Sequence, residues 1–366
     1  MRIALAFLLF SSLAAAAEPS PHRFREEEIR IPWVKAGPEG LDALLVYAEL
    51  PSPHPLVVMT HGTSREPEQR REVTPWSQLP QALWFARRGW LVLVVVRRGY
   101  GASGGKPDFL GHPCPQTDYE DSGEQSAEDL FRAIDYAKTL PVVDGSRMIA
   151  VGISTGGFAT VALTAKAPPG LLAAINFAGG RGSQRDNEVC NPGNLVRAFH
   201  DYGKHSRTPM LWIYAENDKY FWPALAAKFD DAFRSAGGQD QFVRAPAFAS
   251  DGHALFNRGM RIWSPIVDDF LKAQNLVLLP EPLPPPEAPD IPAPPGLSEE
   301  GEQAFRSYLL AGPHKAFATS VHAFGFSTAR MTPDEARHHA LENCQRKASP
   351  GERCTVVSVD NSPPPQ

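Results

Sequence analysis

The sequence predicts an α/β architecture, a mostly parallel sheet with helices on both faces, followed by a small α+β domain. Short apolar runs alternate with helical stretches over most of the chain. A proline-dense segment then interrupts it at residues 280–295, and beyond that lie a few short strands around one helix. Strand–helix alternation at this spacing implies parallel strands with helical crossovers, and places chemistry at their carboxyl ends.

The first residues read as a segment that is removed. Arg2 precedes an apolar run at 3–10 and small residues at 11–17, ending Ala15-Ala16-Ala17 before Glu18. This is the pattern of a cleaved secretory signal, too short to span a bilayer comfortably. Residues 1–17 are therefore assigned to a signal peptide and the mature protein to the periplasm or the exterior, with no membrane attachment after cleavage.

Within 18–279 the apolar runs at 56–59, 90–96, 148–151, 172–177 and 211–214 are rich in Val, Ile, Leu and aromatics. They lack polar alternation, as strands covered on both faces do. Candidate helices fall at 78–88, 122–139, 157–166 and 223–236, the second opening with the acidic stretch Glu124 to Asp129, favourable at a helix N-terminus. Residues 280–297, with Pro-Glu-Pro-Leu-Pro-Pro-Pro-Glu-Ala-Pro-Asp-Ile-Pro-Ala-Pro-Pro at 280–295, form a semi-rigid linker, because proline forbids helix and sheet ladders. The domain at 298–366 reads as strands at 316–321 and 323–327, a helix at 333–347 capped by Thr332, and a strand at 355–359. His338 and His339, adjacent on that helix, point to different sides.

A composition of 43% hydrophobic and 21% charged residues supports a sizeable core. The formal net charge of -5 excludes a nucleic-acid surface, which needs clustered Lys and Arg. The doublets Arg70-Arg71, Arg87-Arg88 and Arg97-Arg98 are solvated or structural. Four cysteines suit an oxidising compartment and allow three pairings. Cys344 and Cys354 lie in one short segment, which leaves Cys114 with Cys190. None sits in a CxxC or Cys/His cluster, so no metal site is expected.

The chemistry gathers around Ser154. The run 148–151 enters Gly152-Ile153-Ser154-Thr155-Gly156-Gly157, and a helix follows. A Gly-x-Ser-x-Gly between strand and helix forms a sharp turn that raises the serine oxygen above the sheet. A serine hydroxyl needs a base. Asp218 lies in the loop after the run 211–214, and His253 lies in the loop after the last candidate strand, Phe242-Val243-Arg244. His253 would take the serine proton and Asp218 would orient the imidazole, with Glu216 and Asp251 as fallback acids. Nucleophile, acid, base is the chain order of one serine-hydrolase fold and differs from that of others. Oxyanion donors are expected from the backbone N–H of Thr155 and of Thr63, in the loop Thr60-His61-Gly62-Thr63-Ser64, with Gly62 second. His61 is expected to hold that loop in shape. The glycine-rich Arg98-Gly99-Tyr100-Gly101-Ala102-Ser103-Gly104-Gly105 lacks the ending of a phosphate loop and reads as a turn near the site.

His61-Gly62, Arg98-Gly99-Tyr100-Gly101-Ala102-Ser103, the Ser154 elbow, Asp218 and Gly252-His253 resemble the α/β-hydrolase superfamily, in its dienelactone-hydrolase-like and prolyl-oligopeptidase-like branches. The resemblance covers about residues 32–276. It implies the α/β-hydrolase fold and no metal or organic cofactor. Dienelactone hydrolases proper carry Cys where Ser154 stands, which argues against that activity. Many relatives carry Asp two residues before the arginine of the second motif, where this chain has Val96. Relatives often insert a cap where this chain has only 179–208, which implies an open site. A Cys114–Cys190 bond would tie two loops at its rim.

The function expected is hydrolysis of a small-molecule carboxylic ester through an acyl-enzyme on Ser154. The alternative is an exported peptidase or amidase acting on short peptides with the same triad. A reading of another class is a non-catalytic binding protein, with the C-terminal domain as a module for envelope material or a partner protein.

Overall fold

The chain opens with strands β1 (Phe24–Ile31), β2 (Leu41–Ala48) and β3 (His54–Thr60). Then come α1 (Pro67–Arg71), α2 (Leu79–Ala86), β4 (Leu91–Val95), α3 (Tyr119–Ala137), β5 (Val143–Ile153), α4 (Thr155–Lys166) and β6 (Leu171–Phe177). A small hairpin, β7 (Ser183–Arg185) and β8 (Glu188–Val189), leads to α5 (Pro192–His205), β9 (Met210–Ala215), α6 (Pro223–Ser235) and β10 (Asp240–Ala245). α7 (Leu255–Arg258) and α8 (Met260–Ala273) precede the tail elements α9 (Glu299–Leu309), β11 (Ala316–Thr319), β12 (Phe324–Ser327), α10 (Pro333–Gln345) and β13 (Thr355–Val359). The structure, a computed structural model, describes residues 23–107, 114 and 116–362. The signal segment expected at 1–17 lies outside the described residues.

Eight strands form one sheet in the order β1-β2-β4-β3-β5-β6-β9-β10. β2 pairs antiparallel with β1 and β4, and every other neighbour is parallel. β3 sits where the order reverses, with β4 on one side and β5 on the other, so the crevice above the carboxyl ends of β3 and β5 is where a ligand site belongs. Both faces are covered. Asn176 pairs with Trp212 and Phe177 with Ile213, so Phe177 and Trp212 lie on opposite faces. Phe177 meets Trp263 of α8, which packs edge to face on Trp84 of α2 at 5.1 Å. Trp212 meets Phe199 of α5, itself packed on Phe158 of α4 and Phe229 of α6. This double cover is why β4, Leu-Val-Leu-Val-Val, is buried at every position.

The tail carries a three-stranded antiparallel sheet, β12-β11-β13. Ala316 and Ala318 face Ala336, Ala340 and Cys344 of α10, while Phe317 turns the other way onto Phe305 and Tyr308 of α9. Ala288, Ile291 and Ala293 of the proline-rich segment pack on that second cluster. The segment is also pinned upstream, where Leu283 N–H donates to Arg87 O at 2.7 Å and Arg87 Nε to Leu283 O at 2.6 Å. It is extended, as proline dictates, but lies on the protein instead of spanning solvent.

Several expectations are corrected. α3 starts at Tyr119, and Asp118 caps it by accepting the Asp121 N–H. The stretch 124–129 is therefore internal, and the charges near the N-terminus are Glu120 and Asp121. β1, β2, α5 and α9 were not foreseen. Region 179–208 holds the β7–β8 hairpin and α5. His338 and His339 do not diverge: both reach Glu342, at 3.1 Å each. Of the doublets read as solvated or structural, Arg97-Arg98 is buried and so structural, which agrees with that reading.

Candidate active site

Ser154 stands at the junction of β5 and α4 with φ 57° and ψ -121°. A non-glycine residue there is strained and persists only where its surroundings hold it. They do so here through the backbone. Ser154 N–H donates to Phe177 O at 2.9 Å, and Ser154 O accepts from Phe158 and Gly180 at 3.0 and 3.1 Å. The flanking glycines are required by space. A Cβ on Gly152 would lie 2.1 Å from Gly156 O, and one on Gly156 would lie 2.5 Å from His61 O. The turn therefore folds tightly against β3, and Ser154 is 4% exposed.

The carboxyl end of β9 supplies Asp218, buried at 1% exposure, whose Oδ2 lies 3.0 Å from His253 Nδ1. Its Oδ1 accepts the backbone N–H of Tyr220 and Phe221, both at 2.8 Å, which fixes the carboxylate plane. With Asp218 as acceptor, His253 Nδ1 carries the proton and Nε2 keeps its lone pair. Of the fallback acids, Asp251 accepts the N–H of Lys219 and His253, both at 3.0 Å, and so shapes the two loops, while Glu216 is exposed. Ser154 and His253 line one cavity of about 300 Å³, with no hydrogen bond between them among the described residues. A second cavity of about 250 Å³ is also lined by Ser154, and shares Thr63, Ser64 and Tyr220 with the first.

The residues expected to carry the oxyanion donors lie together. Thr155 opens α4, and its Oγ1 bonds Thr63 Oγ1 at 2.7 Å; Thr63 Oγ1 also bonds the Tyr100 hydroxyl at 2.7 Å. Gly62 runs so close to Ser154 that a Cβ there would lie 3.0 Å from Ser154 Cβ. His61 holds this loop. Its Nε2 accepts the Arg97 N–H at 3.0 Å, so Nδ1 is the protonated nitrogen and donates to Gly62 O at 2.6 Å. The Arg97 guanidinium binds His61 O at 2.5 Å, Thr60 Oγ1 at 3.0 Å and Thr155 Oγ1 at 2.9 Å. The glycine-rich turn crosses beside the site, bringing Tyr100 to Thr63. Asp129 of α3 reaches Arg98: Oδ2 accepts the Arg98 N–H at 2.9 Å and Oδ1 lies 2.6 Å from Arg98 Nε.

Sequence reasoning missed a stack on His253. The Tyr220 ring lies parallel to His253, centroids 3.9 Å apart at 7°, and the Arg65 guanidinium covers its other face at 3.6 Å. Arg65 is held by Asp186 at 2.9 Å and Ser183 at 2.9 Å. The signal available was position, an aromatic residue two places after Asp218.

The Cys114–Cys190 disulfide lines the second cavity, and Cys344–Cys354 staples the tail. Tyr119 also lines that cavity; it donates to Cys190 O, and burial pushes its hydroxyl up to about 12. Arg65, Arg70 and Arg181 line it against the carboxylates of Asp118 and Asp121.

A family model of X-Pro dipeptidyl-peptidases (S15 family) matches residues 44–227. No curated protein matches the chain. Among solved structures, Pyrococcus horikoshii acylaminoacyl peptidase is 16% identical with a TM-score of 0.50, over 68% of this chain and 41% of that one. A Thermogutta terrifontis esterase is 17% identical with a TM-score of 0.49, over 70% and 97%. A Klebsiella pneumoniae protein assigned as a dienelactone hydrolase is 16% identical with a TM-score of 0.49, over 69% and 99%. At such identities the likeness is one of fold.

Proposed function

Because the chain belongs to the X-Pro dipeptidyl-peptidase (S15) family, hydrolases of the esterase and peptidase type, we propose that it is an exported serine hydrolase that cleaves carboxylic esters through an acyl-enzyme on Ser154. The observation that carries this reading is a hydrogen-bonded pair, buried Asp218 with partly buried His253, whose imidazole lines the same cavity as a serine held at positive φ on a helix N-terminus. His253 Nε2 takes the Ser154 proton as Oγ attacks the carbonyl, then passes it to the leaving alcohol. Asp218 keeps Nδ1 protonated and stabilises the imidazolium. The negative oxygen meets the N–H of Thr155, at the positive end of the α4 dipole, and of Thr63. Water, deprotonated by His253, then releases the acid.

A second reading is a peptidase, favoured by the family's description. The ester is placed first on charge. In the second cavity Arg65 is paired with Asp186, and among the other described lining residues Arg70 and Arg181 stand against Asp118 and Asp121, so no excess of carboxylate is there to hold the free ammonium that a dipeptidyl substrate presents. Export rests on the signal-like start and is supported by two disulfides, bonds that persist in oxidising compartments.

Fluorophosphonate labelling of wild type and Ser154→Ala tests the nucleophile. Labelling is expected to vanish in the variant and ester turnover to fall by at least about 10⁴-fold. Short acyl p-nitrophenyl esters set against Xaa-Pro anilides then decide the substrate class; preference for the anilides would replace the ester reading. A folded wild type that takes no label would remove both.

A further inference from the structure

The tail touches the hydrolase body at a point that bears on catalysis. The loop leaving β3 carries His61 to Ser64 beside Ser154, passes through α1 and returns along 72–78, where Val73, Ser77 and Gln78 line the cavity shared by Ser154 and His253. α1, which leads directly into the return limb, is tied to the outgoing limb by Arg70, whose Nε donates to Ser64 O at 2.8 Å and whose Nη2 donates to Arg65 O at 3.1 Å. α1 and the inner side of the return limb lean on the glycine-rich turn, where Gly101 N–H donates to Arg70 O at 3.1 Å and a Cβ on Gly101 would lie 1.9 Å from Val73 O.

On the outer side the tail holds it. Arg330 Nη1 pairs with Glu72 Oε2 at 2.8 Å, the two side chains being 26% and 31% exposed. Thr74 Oγ1 donates to Ala329 O at 2.9 Å, and Gly312 packs flat on Trp76, where a Cβ would lie 2.5 Å from the indole. The tail side of this clamp is braced. Arg330 Nε donates to Ser327 Oγ at 2.7 Å, Arg330 N–H donates to His314 O at 3.2 Å, and Ala329 sits at φ 55°.

We propose that the β12–α10 turn of the C-terminal module, through Arg330 and Ala329, is a positioning element of the active site that clamps Glu72 and Thr74 and thereby sets the loop carrying Thr63. This rests on the reading of Ser154 as nucleophile and Thr63 as an oxyanion donor. Arg330 touches no reacting atom. It acts through the two-limbed loop, and the quantity it controls is where the Thr63 N–H points when the oxyanion forms. A misplacement of well under an ångström at such a donor weakens the transition state more than the bound ester.

The test is a double-mutant cycle in the full chain on a short acyl p-nitrophenyl ester: Arg330→Ala, Glu72→Ala, both together, and the swapped pair Glu72→Arg with Arg330→Glu. Each single change is expected to lower kcat and the fluorophosphonate labelling rate about tenfold, with KM within about twofold. The double variant is expected to be no worse than either single one, and the swap to recover most of the rate. Rates within about twofold of wild type in a folded Arg330→Ala protein, losses that multiply in the double variant, or a change in KM with kcat intact would each overturn the proposal. Thr74→Val, which removes only the hydrogen bond to Ala329, gives the same reading should the charge variants fail to fold. A wild type that resists labelling would instead fail the underlying catalytic reading, a separate result.

Discussion

Tyr220 shows how a single side chain can hold an imidazole it does not bond to. Its ring covers one face of His253 and is itself held by Arg65, so the imidazole is confined to the plane in which Nδ1 meets Asp218. Such stacking contributes roughly 1 kcal/mol beyond buried area. Tyr220→Ala is expected to lower kcat about fivefold to tenfold while Tyr220→Phe stays close to wild type, as steady-state ester kinetics would record. Equal loss in both variants would mean that the hydroxyl, not the ring face, matters. Ser154, Asp218 and His253 were readable because a glycine-flanked turn between a strand and a helix and two loops after strands are local patterns. Asp129 was not. Nothing in Glu-Asp-Leu marks one carboxylate of an acidic helix as the partner of Arg98, thirty-one residues upstream. Only tertiary packing brings them together.

At the level of elements, β3, β4, β5, β6 and β9 were legible because they are covered on both sides, where hydrophobicity alone is sufficient. β1 escaped because it is an edge strand with four consecutive charged residues, Arg25 to Glu28, facing mostly outward. α5 was overlooked although Leu195, Ala198, Phe199 and Tyr202 are buried at helical spacing, because its Asn-Pro-Gly start reads as a turn until Asn191 is seen to cap it. One contact between elements titrates. Asp240 of β10 and Asp230 of α6 face each other, and burial, with the Asp230 charge beside it, pushes the Asp240 carboxyl up to about 8. The folded chain therefore holds this proton while the unfolded chain has lost it, and stability falls as pH rises from about 4 to about 8. Asp240→Asn is expected to melt higher than wild type at pH 8 and to lose that advantage toward pH 4, read from thermal melts across the range. A difference that does not vary with pH would show that the carboxyl pair carries no such cost.

Over the whole molecule, the disulfides and the proline-rich segment set what is free to move. Cys114–Cys190 closes 76 residues and Cys344–Cys354 closes 10. Chain-entropy reasoning assigns them about 4.5 and about 3 kcal/mol. Replacing Cys114 and Cys190 by Ser is expected to lower Tm and, because that bond lines a cavity beside Ser154, to raise KM for the ester as well. Replacing Cys344 and Cys354 is expected to lower Tm with a smaller effect on KM. Calorimetry and kinetics on the same preparations separate the two, and identical KM shifts would mean that the first bond does not shape the cavity.

The pinned segment from Leu283 to Ala293 has a consequence for assembly. A loose spacer would leave the tail searching a large volume for its seat on Glu72 and Thr74; a strand fastened at Arg87 and again on the α9 cluster confines it close to that seat. Docking in the intact chain is then an intramolecular event at an effective concentration on the order of millimolar or more. Cutting the chain at an engineered protease site near Glu287 turns it into an encounter between two molecules. The nicked protein is expected to keep its activity in concentrated solution and lose it on dilution, whereas the intact chain has a specific activity independent of concentration.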